Sequence, residues 1–109
     1  MVKYWTILSY DPEESVCDVA QLGIYSSISN VINRILVEEK SLFDVLDEDE
    51  ILEITEEWFD DMDEAVTWNE LEKEYKKFIL KTLKKNKIGA NIEGVSGMIY
   101  TVSRHVLDN

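Results

Sequence analysis

Residues 50–65 read EILEITEEWFDDMDEA, and the spacing of apolar and acidic positions in this stretch decides how the chain is read. At about 100° of rotation per residue, Ile51, Leu52, Ile54, Trp58, Phe59, Met62 and Ala65 fall within one arc of about 160°. Glu50, Glu53, Glu56, Glu57, Asp60, Asp61, Asp63 and Glu64 fill the complementary arc. That division predicts an amphipathic helix over 50–65, apolar toward the body of the protein and anionic toward the outside. A strand turning Leu52 and Ile54 inward is the competing reading for 50–55, and it fits fewer residues.

Downstream, Thr67-Trp68-Asn69-Glu70 matches a capping box, with Thr at the N-cap and Glu three residues on. Leu71, Tyr75, Phe78, Ile79, Thr82 and Leu83 then recur at helical spacing, which predicts a helix over 68–86. Its early Glu and late Lys residues suit the helix dipole. A Gly-containing loop over 87–97 leads to a last strand, 98–107, in which Met98, Tyr100, Val102 and Val106 alternate with Thr101, Ser103 and His105.

Upstream, 3–10 (KYWTILSY) is rich in aromatic and β-branched residues and reads as a strand. Asp11-Pro12-Glu13-Glu14 forms a turn. Residues 16–25 (VCDVAQLGIY) read as a second strand, with Val16, Ala20, Leu22 and Ile24 on one face, and the short link predicts a hairpin. Ser26 and Ser27 offer N-cap oxygens to a helix over 28–40, marked by Ile28, Val31, Ile32, Ile35 and Leu36. Residues 41–49 read as a short turn or helical turn that buries Leu42, Phe43 and Leu46. The chain is therefore expected to be a single α+β domain over 1–109. Its order in sequence is ββααβ, with a small three-stranded, mainly antiparallel sheet packed against two to three helices.

Charge is strongly segregated. The 109 residues carry a formal net charge of −12. Twelve carboxylates lie between Asp44 and Glu64 with no Lys or Arg among them, and the rest of the chain holds eleven acids and eleven bases. The whole imbalance thus belongs to one segment. A basic stretch follows, in which Lys73, Lys76, Lys77, Lys81, Lys84, Lys85 and Lys87 face a single acid, Glu74. Such a field opposes direct nucleic-acid binding and docking on an anionic membrane, and it favours basic partners.

Apolar residues make up 45% of the chain and eleven residues are aromatic, which excludes the disordered class. No apolar stretch approaches the roughly 20 residues of a membrane span. The start, MVKYWTILSYD, reads as a first strand rather than a signal peptide. Cys17 is the only cysteine, so no intrachain disulfide can form, and a reducing, cytoplasmic setting is expected.

No motif calls for catalysis, a metal or a cofactor. One His and one Cys do not make a zinc site. Asp61, Asp63 and Glu72 fall at positions one, three and twelve of an EF-hand-like loop, but Ala65 and Val66 occupy five and six, where a ligand and a glycine are needed. Diffuse condensation of divalent ions on the acidic face is expected instead. Cys17 and His105 both lie on predicted strands and are a nucleophile–base pair only with a third, orienting group, which is not identifiable. The plainer reading is a buried thiol and a partly exposed histidine. Carboxylates on a solvated face lack the burial that tunes acid–base groups. Gly89, Gly94 and Gly97 fit neither GxGxxG nor a P-loop and are explained by loop closure.

The bland account of the acidic face is solvation, with the lysines of 73–87 neutralising part of the row. The sharper account starts from repulsion, because like charges at i,i+3 and i,i+4 cost a few tenths of a kcal/mol per pair. A half-acidic helix presents about one charge per 3 Å, close to the spacing along a single nucleic-acid strand. A carboxylate row of that kind can occupy a basic nucleic-acid channel in another protein and associate quickly under electrostatic steering. Glu50, Glu53, Glu57, Asp60, Asp61 and Glu64 are the candidate partner-binding carboxylates. Trp58 and Trp68, lying near the row, are candidate anchors.

In its acidity, brevity and lack of motifs the chain resembles small phage and mobile-element proteins that inhibit host nucleases and other DNA-binding proteins. The Gly23-Ile24-Tyr25-Ser26-Ser27 strand–helix junction and the closing strand, from Ile99-Tyr100-Thr101 to Leu107-Asp108, look like small ββα…β proteins from phages and bacteria. That likeness covers about half the chain and implies no functional residue. The expected function is a non-catalytic binding module that antagonises a basic, nucleic-acid-binding protein, without direct nucleic-acid or membrane contact and without a cofactor. The alternatives are a structural or regulatory subunit that homo- or hetero-oligomerises through apolar helix faces, and a small enzyme using carboxylates or Cys17 and His105.

Overall fold

Residues 2–13, 19–86 and 88–107 are described in the structure, a computed structural model. The expectations for Val16 and Cys17 lie outside the described residues. Strands β1 (Val2–Tyr10) and β2 (Ala20–Tyr25) precede helices α1 (Ile28–Phe43), α2 (Glu48–Trp58) and α3 (Trp68–Lys85). Strands β3 (Gly89–Glu93) and β4 (Ile99–Leu107) follow. The strands form one four-stranded sheet in the order β2-β1-β4-β3, antiparallel throughout. The α+β class stands, and the sheet has one strand more than the three expected.

The extra strand is β3, which occupies the segment read as a loop. Its sequence, GANIE, offers only Ala90 and Ile92 as apolar positions and opens on a glycine. Pairing with β4 supplies what local sequence lacks: Ala90 sits opposite Val102 and Ile92 opposite Tyr100, and Ile92, Tyr100 and Val102 are buried. The inward face continues across β1, where Ile7 pairs with Val102 and Ser9 with Tyr100.

Strand β2 breaks the expected alternation. Ile7 pairs with Gly23 but Leu8 pairs with Gln21, so Leu22 is the extra residue of a bulge. One added residue reverses the facing of the positions after it. Leu22 packs against the core, while Ile24, expected on the same face, is 64% exposed. Gly23 holds this turn of the backbone at φ +140°, a conformation that side chains disfavour. A Cβ there would also meet the Tyr25 hydroxyl, which donates to the Leu22 carbonyl at 2.9 Å.

The helices cover one face of the sheet. Helix α1 is capped by Ser27, whose hydroxyl accepts from Asn30 N, and it runs to Phe43, three residues past the expected end. Helix α3 is capped by Thr67 as the sequence indicates and buries Trp68, Leu71, Tyr75, Ile79 and Leu83. Helix α2 fully buries only Ile54 and Thr55. At about 1.5–3 kcal/mol per buried large apolar side chain, α2 is the most lightly held of the three.

Helix α2 also ends early. The expectation of a helix to Ala65 is corrected: Trp58 is its last residue, and Phe59 is extended at φ −135° and ψ 121°. Two effects explain this. Asp60, Asp61, Asp63 and Glu64 would extend a carboxylate series into the negative end of the helix dipole, with no base to offset it. The returning chain gains an anchor instead, because Thr55 Oγ1 accepts from Val66 N at 2.9 Å while donating to Ile51 O, and Val66 is buried. The start of α2 likewise differs from Glu50. Asp47 is the N-cap of a capping box with Glu50, which the sequence reading missed.

Candidate functional site

The acidic segment presents its carboxylates outward. Glu50, Glu53 and Glu57 are exposed on α2, and helical geometry spreads them over about 10 Å of its axis. Asp60, Asp61 and Glu64 are exposed too, but on the turn after the helix. The expected single rod is thus a short helical row continued by an irregular anionic turn. Among the described residues the ion pairs are Arg34–Glu38 at 3.1 Å and Lys77–Glu74 at 3.4 Å. Neither uses a carboxylate of 44–64, so the described lysines of α3 do not cap the acidic segment.

The two candidate tryptophans part company. Trp68 is only 9% exposed and lies 5.5 Å from Phe43, ring centre to ring centre, inside the core. Its placement among candidate anchors is corrected, because the first turn of α3 points this position inward. Trp58 is half-buried and meets Phe78 at 5.6 Å and Tyr75 at 5.7 Å, each with ring planes at 89°. Such edge-to-face contacts are favourable beyond the area they bury.

Beside Trp58 lies a cleft of about 420 Å³ between α2, the middle of α3 and the turn joining β3 to β4. Glu53, Glu57 and Trp58 line one side, Phe78 another, and Glu93 with the 94–97 turn a third. Phe78, expected on the buried stripe of α3, is 39% exposed here. The turn is tight: Gly94 N donates to Met98 O at 2.7 Å and Gly97 N to Gly94 O at 3.1 Å.

That turn is tied to α1 through a buried carboxyl group. Glu39 has no exposed surface. Its Oε1 accepts from Ser96 N at 3.2 Å, and its Oε2 accepts from Ser96 Oγ and Tyr100 Oη, each at 2.6 Å. A buried acid is costly unless its oxygens are hydrogen-bonded, and here both are. Tyr75 Oη donates to Glu93 O at 3.2 Å on the same side of the sheet. Burial, and then the charge of Glu39, push both the Tyr75 and Tyr100 hydroxyls well above the usual tyrosine range.

The sequence reading missed Glu39, Phe78 and Glu93 as members of one neighbourhood. A signal for Glu39 existed, since it falls four residues after Ile35 and four before Phe43, on the apolar stripe of α1. No local signal brings Glu93 and the 94–97 turn up to α2, because β3 itself was not legible.

Among the described residues, no set of three His, Cys, Asp or Glu side chains is grouped to hold a metal ion. His105 is exposed on β4, stacked on Tyr4 at 4.9 Å and hydrogen-bonded to Thr6 Oγ1 at 3.1 Å, while its suggested partner Cys17 lies outside the described residues. No described helix is long and apolar enough to cross a membrane. No protein-family model matches the chain, and no curated protein or solved structure matches it either.

Proposed function

We propose that this protein is a non-catalytic binding module that presents the anionic surface of α2 and its following turn to a basic, nucleic-acid-binding protein and blocks it. The observation that carries the reading is the confinement of the entire net charge to 44–64, together with the outward, uncapped placement of Glu50, Glu53, Glu57, Asp60, Asp61 and Glu64. Uncompensated carboxylates in one surface repel one another, and a complementary basic surface relieves that repulsion. The three in-line glutamates of α2 stand in for a short run of phosphates, and the turn broadens the anionic area beyond a single row. This reading agrees with the resemblance to small acidic phage and mobile-element inhibitors.

The test is capture of basic proteins from a lysate by the wild-type protein and by the variant Glu53→Lys/Glu57→Lys/Asp60→Lys/Glu64→Lys, at low and high salt. Binding that falls steeply with ionic strength and vanishes in the folded variant supports the reading. Equal binding by both proteins excludes it.

A second reading, assembly through an apolar surface, draws on a different face from the helix faces expected. The sheet side away from the helices exposes Val2, Leu8, Ile24 and Leu107. Self-association that is insensitive to salt and lost on Ile24→Asp would favour it.

A further inference from the structure

We propose that the cleft between α2, α3 and the β3–β4 turn receives an arginine side chain of the partner protein, an inference that rests on the anionic-surface reading and names its anchor point. Glu53 and Glu57 contribute two carboxylates to the cleft walls, Glu93 lines it at the end of β3, and among the described residues its lining contains no Lys, Arg or His. The walls between them are aromatic. Trp58 and Phe78 stand perpendicular at 5.6 Å, and Phe78 stays 39% exposed. Ring faces and carboxylates share one preference, a cation that is flat and partly apolar.

The chemistry of the cation follows from the geometry. The carboxylates are not grouped as metal ligands, so the site does not converge on a point charge. Glu53 and Glu57 line the cleft from α2 one helical turn apart, which suits a charge spread over a plane rather than a point. A guanidinium group stacks on an aromatic ring and still offers donors at its edge to carboxylates on either side; an ammonium group does one or the other. The wall opposite α2 is fixed in advance, because Glu39 holds Ser96 through both its backbone and its side chain. A site formed before its ligand arrives loses less entropy on binding.

The experiment is an NMR titration of the ¹⁵N-labelled full chain with a short neutral peptide carrying one arginine, and with the same peptide carrying citrulline or lysine in its place. The arginine peptide is expected to move the Trp58 indole N–H signal and leave that of buried Trp68 in place, with the citrulline peptide moving neither. Phe78→Leu, and separately Glu53→Gln/Glu57→Gln, should each weaken arginine-peptide binding by about fivefold or more. Glu48→Gln/Glu56→Gln, an equal charge change on α2 outside the cleft, should weaken it less than about twofold. Equal losses from the two glutamine pairs, equal binding of the citrulline peptide, or tighter binding of the lysine peptide would each overturn the inference. Such results leave the anionic-surface reading intact, since it fails only if the fourfold lysine variant still captures its basic partner.

Discussion

The Tyr100 hydroxyl donates to Glu39 Oε2 across 2.6 Å, joining the central strand β4 to the interior of α1. Ser96 Oγ donates to the same oxygen at the same distance. One buried carboxyl group therefore fixes a helix, a strand and the turn that forms a wall of the cleft. Its removal strands a buried donor on each partner, which is worse than losing the bonds alone.

Glu39→Ala is accordingly expected to destabilise the fold by about 3 kcal/mol or more. Tyr100→Phe, which leaves Ser96 in place, should cost about 1.5–3 kcal/mol. Urea denaturation of the three proteins measures both. A loss below about 1 kcal/mol for Glu39→Ala would show that the tie is incidental.

Gly94→Ala probes the same tie by steric means. A Cβ at Gly94 would collide with the Glu39 carboxyl group, so one of them must move. A destabilised protein, with broadened or shifted NMR signals for Ser96 and Tyr100, is expected. Gly97→Ala would place its Cβ in open space and should disturb neither signal, although its φ of +94° adds local strain.

Alkaline pH should unfold the protein through Tyr75 and Tyr100. Both hydroxyls hold their protons more tightly in the folded state than in the unfolded chain. Below about pH 10 both states are protonated and this contribution is fully present. Above it the unfolded chain releases protons that the folded state keeps, so stability falls by about 1.4 kcal/mol per pH unit for each tyrosine. Tyr75→Phe should roughly halve that slope, as read from urea midpoints across the alkaline range. An unchanged slope would place the two hydroxyls outside the transition.

The two halves of the α2 capping box should differ in weight. Glu50 N donates to Asp47 Oδ1 at 2.9 Å, whereas Asp47 N reaches Glu50 Oε1 only at 3.4 Å. Asp47→Ala should cost about 1 kcal/mol, with a smaller loss from Glu50→Gln. Thermal melts followed by circular dichroism compare them, and the reverse order would be inconsistent with the geometry.

Self-repulsion in 44–64 should make stability depend on salt. Raising ionic strength to about 0.5 M screens exposed like charges and should raise the melting temperature. The variant Glu56→Gln, near the negative end of α2, should melt higher than wild type at low salt and show a weaker salt effect. A melting temperature that falls with added salt would mean that attractive pairs dominate.

Helices α1 and α3 and the existence of β1, β2 and β4 were legible in the sequence because their information is local. Apolar residues recur at the period of each element, and Ser27 and Thr67 mark the helix starts. The segregation of charge is likewise a property of the sequence. The terminus of α2 was not legible, because its apolar pattern continues through Met62 while the Thr55–Val66 hydrogen bond that turns the chain spans eleven residues.

Tertiary structure alone decided the rest. Strand β3 exists because Ile92 finds Tyr100 across the sheet, and the bulge at Leu22 exists because Gly23 lets the chain bend against β1. Glu39 looks like an error on an apolar stripe until Ser96 and Tyr100, 57 and 61 residues away, are brought to it. The cleft is of the same kind: Glu53, Phe78 and Glu93 are far apart in the chain and have no common period. Periodicity fixes which way a residue faces on its own element, but long-range packing fixes what it faces.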